Sequence, residues 1–214
     1  MLNFLSITEI ITGIFTTGTL TSYVICKIYD YPFYNPKMNE LQFLKKINVI
    51  MNLSFFILLE SILLSKYIFY NFIEDTPHSY LSNIMNISLY SMYIEILYYS
   101  YHRIIHHKYF YKYIHSKHHE NIEIYPLDTF YFGYIDSNFL ILSFGIPIIF
   151  MRLNFFEHIF TLYIYIVFAY LSHSKLFYKH HYIHHKLFFC NYSLFIPITD
   201  ILFKTYNNSS IEDT

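Results

Sequence analysis

Tryptophan is absent, and glycine (4), proline (6) and cysteine (2) are scarce among the 214 residues. So few turn formers exclude a collagen-like or low-complexity chain. The two cysteines, Cys26 and Cys190, cannot build a disulfide framework or hold an iron–sulfur cluster. Neither belongs to a Cys-x-x-Cys-His haem attachment, and the glycines at 13, 18, 133 and 145 are too scattered for a Gly-x-Gly-x-x-Gly dinucleotide loop. Charge is also thin: 14% of residues, against about 25% in a typical soluble domain. The net charge of −1 offers no basic excess for nucleic acid. In their place stand a 55% hydrophobic fraction, 25 Tyr and 23 Phe. A water-soluble globule would lack charged residues to coat it, so an integral membrane protein is expected.

The apolar residues fall into segments. Residues 5 to 28 read as a retained membrane helix or signal anchor, since no cleavage site is evident. Residues 29 to 46 are polar and turn-rich. Residues 47 to 73 make a second spanning helix, interrupted by Glu60 and Lys66. Residues 81 to 101 read as a helix with one face toward protein, running into His102. The apolar run from 139 to 150 is too short to cross and contains Pro147, so a re-entrant hairpin with residues 155 to 172 is expected. The fold expected is an all-α polytopic membrane bundle, with about three spanning helices, that hairpin, and a histidine-rich cytosolic cap. Its parts are N-terminal membrane helices over 1–80, a histidine-bearing domain over 81–206 and a polar tail over 207–214.

Basic residues sort by segment. Twelve fall within 27–46, 102–133 and 173–214, and only Lys66 and Arg152 remain for the other side. The positive-inside rule then places every histidine-rich segment on the cytosolic face.

Histidine is the outlier, with 13 residues against 14 Lys plus Arg. The clusters are His102, His106 and His107; His115, His118 and His119; and His181, His184 and His185, preceded by His180. His173 stands alone. On a helix, i, i+3 and i+4 share one face, so each cluster aims two or three imidazoles at one place. One zinc takes four ligands, and eight to ten convergent nitrogens point to two transition metals. His106 and His107 remain alternatives for the second ligand of the first cluster. His78 and His158, alone in their segments, read as ordinary structural residues.

From about Glu95 to about Asp200 the chain resembles the fatty acid hydroxylase and sterol desaturase superfamily. Glu95, Tyr98 and Tyr99 before His102-Arg103 are similar to its lead into the first histidine box. The run from His115 to Glu120 resembles the second box, and His173-Ser174 the isolated pair before the last. His180 to His185, with Asn191-Tyr192 and Asp200, resemble the C4-methylsterol oxidase branch. Tyr125-Pro126-Leu127-Asp128 departs from the His-Pro-Leu-Glu frequent there.

The resemblance implies a non-haem di-iron oxidase that uses O2 on a C–H bond of a membrane lipid, a sterol first, in lipid biosynthesis. It also implies electrons from NAD(P)H through a reductase and cytochrome b5, and residence in the endoplasmic reticulum. Metal-bound imidazoles need partners for their second nitrogen, and Glu95, Glu120, Asp128 and Asp200 are the candidates. Two other readings compete: a fatty acyl or ceramide hydroxylase or desaturase, and a histidine-rich membrane metal carrier or store. A carrier should place its ligands inside the spanning segments, whereas these clusters follow them.

Overall fold

The computed structural model describes residues 4–208 except 178, so most of the expected polar tail lies outside the described residues. The order is α1 (Phe4–Ile28), α2 (Glu40–Tyr67), α3 (Tyr80–Ile105), α4 (Lys108–Ile114), α5 (Tyr134–Phe150), α6 (Phe155–Ser172), α7 (His180–Leu187) and α8 (Ile198–Leu202). Short 3-10 turns lie at Phe69–Phe72, His118–Glu120 and Pro126–Phe130. Among the described residues there is no strand, only an isolated bridge between Glu74 and Asn154.

Among the described residues two helices, α2 and α6, are long and apolar enough to cross a membrane. At 1.5 Å per residue the 18 residues of α6 reach about 27 Å, close to the hydrocarbon thickness. α2 turns Met51, Phe55, Phe56, Leu59 and Leu63 outward. An apolar face of that extent suits lipid rather than water.

The local signals explain the boundaries. α2 starts at Glu40, inside the segment expected to be turn-rich. Asn39 Oδ1 accepts from Gln42 N–H (2.9 Å), and the Gln42 side chain accepts from Asn39 N–H (3.0 Å). This reciprocal capping box satisfies the first orphan amides, so the helix takes in Lys45 and Lys46. α5 starts at Tyr134, ahead of the apolar run, and takes in Asp136, Ser137 and Asn138. Seventeen residues rather than twelve carry the α5–α6 hairpin to the far end of the bundle. There Glu74 N–H donates to Leu153 O (2.8 Å), tying the hairpin to the loop between α2 and α3.

The bundle therefore has two poles. At one, Lys46 pairs with buried Asp128, α3 delivers His102, and α6 ends at His173. At the other lie Lys66, Arg152 and His78, whose ring nitrogens meet Glu157 (2.9 Å) and Glu74 (3.0 Å). The twelve-to-two split of basic residues follows this axis. Helices α1 and α6 form the closest seam: a Cβ at Gly18 would sit 2.6 Å from Ile166 Cγ2, so only glycine admits this approach. Thr19 and Thr21 meet the Tyr170 and Tyr163 hydroxyls along the same seam. A second close approach puts the Phe69 ring where any Cβ on Gly145 would stand.

Single cysteines at Asp75 and Lys112, both exposed and at opposite poles, should be labelled from opposite sides of sealed vesicles. Native Cys26 and Cys190 are buried and should stay silent. Labelling of both positions from one side would refute the two-pole arrangement.

Candidate metal centre

Five elements bring the histidines together. His102 lies in the last turn of α3, and His106 caps it, with His106 N–H donating to His102 O (3.2 Å). Short α4 turns the chain back so that His115 becomes its C-cap. The second cluster is a tight turn rather than a helix, with His118 N–H donating to His115 O (3.0 Å). His173 caps α6, and α7 presents His181, His184 and His185.

These rings form two groups. His102, His106, His115, His119 and His184 make one; His118, His173, His181 and His185 make the other. Within each group the ligand atoms lie within 4.8 Å of one another. The clusters do not each serve one place, as helical spacing had suggested. The second and third are both divided between the groups.

Hydrogen bonding fixes which nitrogen points inward. Nδ1–H donates to Tyr192 O from His102 (2.7 Å), to Cys190 O from His184 (2.7 Å) and to Ala169 O from His173 (2.8 Å). His115 Nδ1–H donates to Asp136 Oδ2 (2.5 Å). Each Nε2 in these four rings is then a lone pair. Yet His102 Nε2 and His115 Nε2 are 3.0 Å apart. Facing lone pairs cannot make a hydrogen bond; they can share a cation. Two imidazole nitrogens on one ion at about 2.0–2.1 Å stand roughly 2.9–3.4 Å from each other. The other Nε2 pairs fit the same range: His184–His119 at 3.1 Å, His185–His118 at 3.1 Å and His173–His118 at 3.3 Å. Among the described residues neither nitrogen of buried His181 has a partner, nor does buried His106 Nε2. Such orphans are costly unless a ligand takes them. The donor set therefore fits metal, and imidazole suits iron, zinc, copper and nickel.

Burial keeps these rings in the form that binds metal. Desolvation, reinforced by neighbouring histidines, pushes His118 down to about 3 and His106 down to about 2. His115, His181, His184 and His185 are held well below the ordinary histidine range for the same reasons. Metal binding requires the neutral imidazole.

Several sequence expectations need correction. His107 is exposed and begins α4, outside both groups, because the chain leaves the helix axis after His106. Glu95 does not touch His102. Its carboxylate accepts from the backbone N–H groups of Leu194, Phe195 and Ile196 and from the Tyr165 hydroxyl, each at 3.0 Å. Asp200 accepts from Tyr192 N–H and Ser193 N–H, each at 2.8 Å. Asp128 is committed to Lys46 and to Tyr125 N–H (2.8 Å), and Glu120 to the Tyr131 hydroxyl (2.7 Å). The only carboxylate on a ligand-group ring among the described residues is Asp136. Its signal in the sequence was an acid standing one turn ahead of an apolar run.

The loop after α7 carries the two decisive carbonyls. Asn191 sits between Cys190 and Tyr192 with a left-handed φ of 58°, a conformation asparagine tolerates better than most residues. Its side-chain amide donates to His180 O (2.9 Å), and Glu95 and Asp200 hold the chain that follows. A family model for fatty acid hydroxylases matches residues 87–205, which contain all nine converging histidines and this loop.

The chain belongs to the fatty acid hydroxylase family.

It is similar to the very-long-chain aldehyde decarbonylase GL1-5 of Oryza sativa subsp. indica, at 28% identity over 55% of this chain and 22% of that protein. It is also similar to protein CER1-like 1 of Arabidopsis thaliana, at 29% identity over 54% of this chain and 22% of that protein. The chain spans about a fifth of the length of these relatives. No solved structure matches it.

Below the histidines an apolar cavity runs between α1, α2, α5 and α6, with about 1180 Å³ of open space including its mouth. Phe130, Ala169 and Leu194 line its upper end. Ala169 O holds the His173 ring, so the cavity ends one residue from the four-histidine group.

His106→Ala should weaken metal retention by at least the roughly 10–100-fold that outer-shell changes cost, whereas His107→Ala should leave metal content unchanged. Elemental analysis of both variants decides; equal effects would refute the grouping. The metal-free protein should also lose stability in acid. Unfolded histidines take up protons near pH 6.5, while the buried rings do not until far lower. Stability therefore falls as pH drops below about 6.5, by up to about 1.4 kcal/mol per pH unit for each such histidine. Thermal melts in detergent should show the midpoint falling from pH 6.5 to pH 4; a flat profile would contradict neutral burial.

Proposed function

We propose that the chain is an O2-dependent non-haem di-iron oxidoreductase that acts on the hydrocarbon of an acyl lipid. The observation that carries this reading is the placement of two convergent imidazole groups directly above a deep apolar cavity. His102, His106, His115, His119 and His184 would hold one iron, and His118, His173, His181 and His185 the other. Bound there, iron would supply oxidising power from O2 toward an unactivated C–H bond. The chain's own residues do the rest. Carbonyls of the 190–192 loop and of Ala169 hold the rings, Asp136 takes the proton-bearing face of His115, and the cavity excludes water while aligning a lipid chain. A closed ligand set at one pole supports fixed chemistry over a metal carrier, which needs ligands along a path.

The name of the Oryza sativa relative, a very-long-chain aldehyde decarbonylase, supports an acyl substrate over a sterol. The resemblance of His180 to Asp200 to C4-methylsterol oxidases keeps a sterol as the second reading. The basic pole faces the cytosol of the endoplasmic reticulum in this proposal. Exposed Lys108 and Lys112 on α4 offer a docking surface for acidic cytochrome b5, which passes electrons from NAD(P)H through its reductase.

Lipid profiles of cells expressing the chain should differ from those expressing His184→Ala, with the change among acyl lipids; a change among sterols alone would favour the second reading. Purified protein with lipid, O2 and NAD(P)H should be inactive until cytochrome b5 and its reductase are added, and activity should fall with salt. Sustained turnover without a carrier would overturn the electron route.

A further inference from the structure

The far end of the cavity is not apolar throughout. His158 lines it from α6, 7% exposed, and Ser61 and Ser65 line it from α2. His158 lies 15 residues before His173 along α6, about 22 Å below the histidine groups at 1.5 Å per residue. Ser61 lies 15 residues beyond Lys46 on α2, at a similar depth. The three side chains thus share the end remote from the metal centre.

The hydrogen bonds around His158 define what it offers. The Tyr90 hydroxyl donates its single proton to Phe144 O (2.9 Å), since a carbonyl can only accept. His158 Nδ1 is 3.0 Å from the same hydroxyl oxygen and must therefore donate to it. Its Nε2 then carries a lone pair, with no hydrogen-bond partner among the described residues. On a ring that lines a largely apolar cavity, such an acceptor selects a donor: an alcohol, but not a methyl, ether or carbonyl.

We propose that this end of the cavity is a hydroxyl subsite, in which His158 Nε2, assisted by Ser61 and Ser65, receives the alcohol at the far end of a long hydrophobic lipid. The inference rests on the cavity being the lipid site of the proposed function. Two sources carry this chemistry: an ω-hydroxylated acyl chain, and a sterol entering side chain first. A sterol so seated presents its side chain to the histidines and keeps the ring carbon beside its hydroxyl at the wrong end for C4 oxidation.

The test is ligand binding to the full chain in detergent or nanodiscs, by displacement of a radiolabelled fatty acid. An ω-hydroxy fatty acid should bind about tenfold tighter than the plain acid of equal length, or 1.4 kcal/mol. His158→Leu should abolish the preference, and His158→Gln should retain part of it. Ser61→Ala with Ser65→Ala, which leaves the buried ring in place, should reduce it about threefold. Equal binding of the two acids to the native chain would overturn the subsite and leave the acyl reading standing. Binding of neither acid nor sterol would overturn both. Binding of cholesterol over cholestane, dependent on His158, with no binding of the acids, would keep the subsite and overturn the acyl reading.

Discussion

Nine imidazoles packed nitrogen to nitrogen cannot hold themselves in place. The lone pairs of His102 and His115 face each other at 3.0 Å, and the protein must oppose that repulsion wherever no cation does. It does so from behind, by fastening the opposite nitrogen of the ring. Three of the four fasteners are backbone carbonyls, at Ala169, Cys190 and Tyr192, and the fourth is Asp136. A carbonyl adds no formal charge and only accepts, so it sets the tautomer without raising the charge of a buried site.

This arrangement moves the acidic residues one step outward. Glu95 and Asp200 spend their oxygens on backbone amides of 192–196, the stretch that begins with one of the fastening carbonyls. A buried carboxylate with several N–H donors is well satisfied, and here it makes a loop rigid. Changing Glu95 would therefore act on the metal centre through backbone position, not through a lost contact with a ring.

Much of the site was legible in the sequence. Repeated His-x-x-His-His endings and the isolated His173 marked the converging rings, because imidazole at such spacing serves little else. The division of the second and third clusters between two groups was not legible, since it depends on His118 lying in a tight turn and on how α7 crosses that turn. Nor could spacing separate His106 from His107, which differ only in whether the helix has ended. Asp136 stood 21 residues from its partner, with no local pattern joining them. For the fold, residues 40 to 46 read as polar and turn-rich, yet they open α2 behind the Asn39-x-x-Gln42 capping box. Of the two lysines in that stretch, Lys46 is neutralised within the bundle by Asp128.

The contact between Phe69 and Gly145 has a consequence for how such a cavity diversifies. Both residues line it, and the ring occupies the space that any larger residue at 145 would need. Position 145 cannot gain a side chain while the ring at 69 stays where it is. A bulkier residue at 145 demands a smaller one at 69, and a smaller residue at 69 opens room that a side chain at 145 can reclaim. Among descendants of this chain the two positions should change together, reshaping the interior while the histidines above it stay fixed.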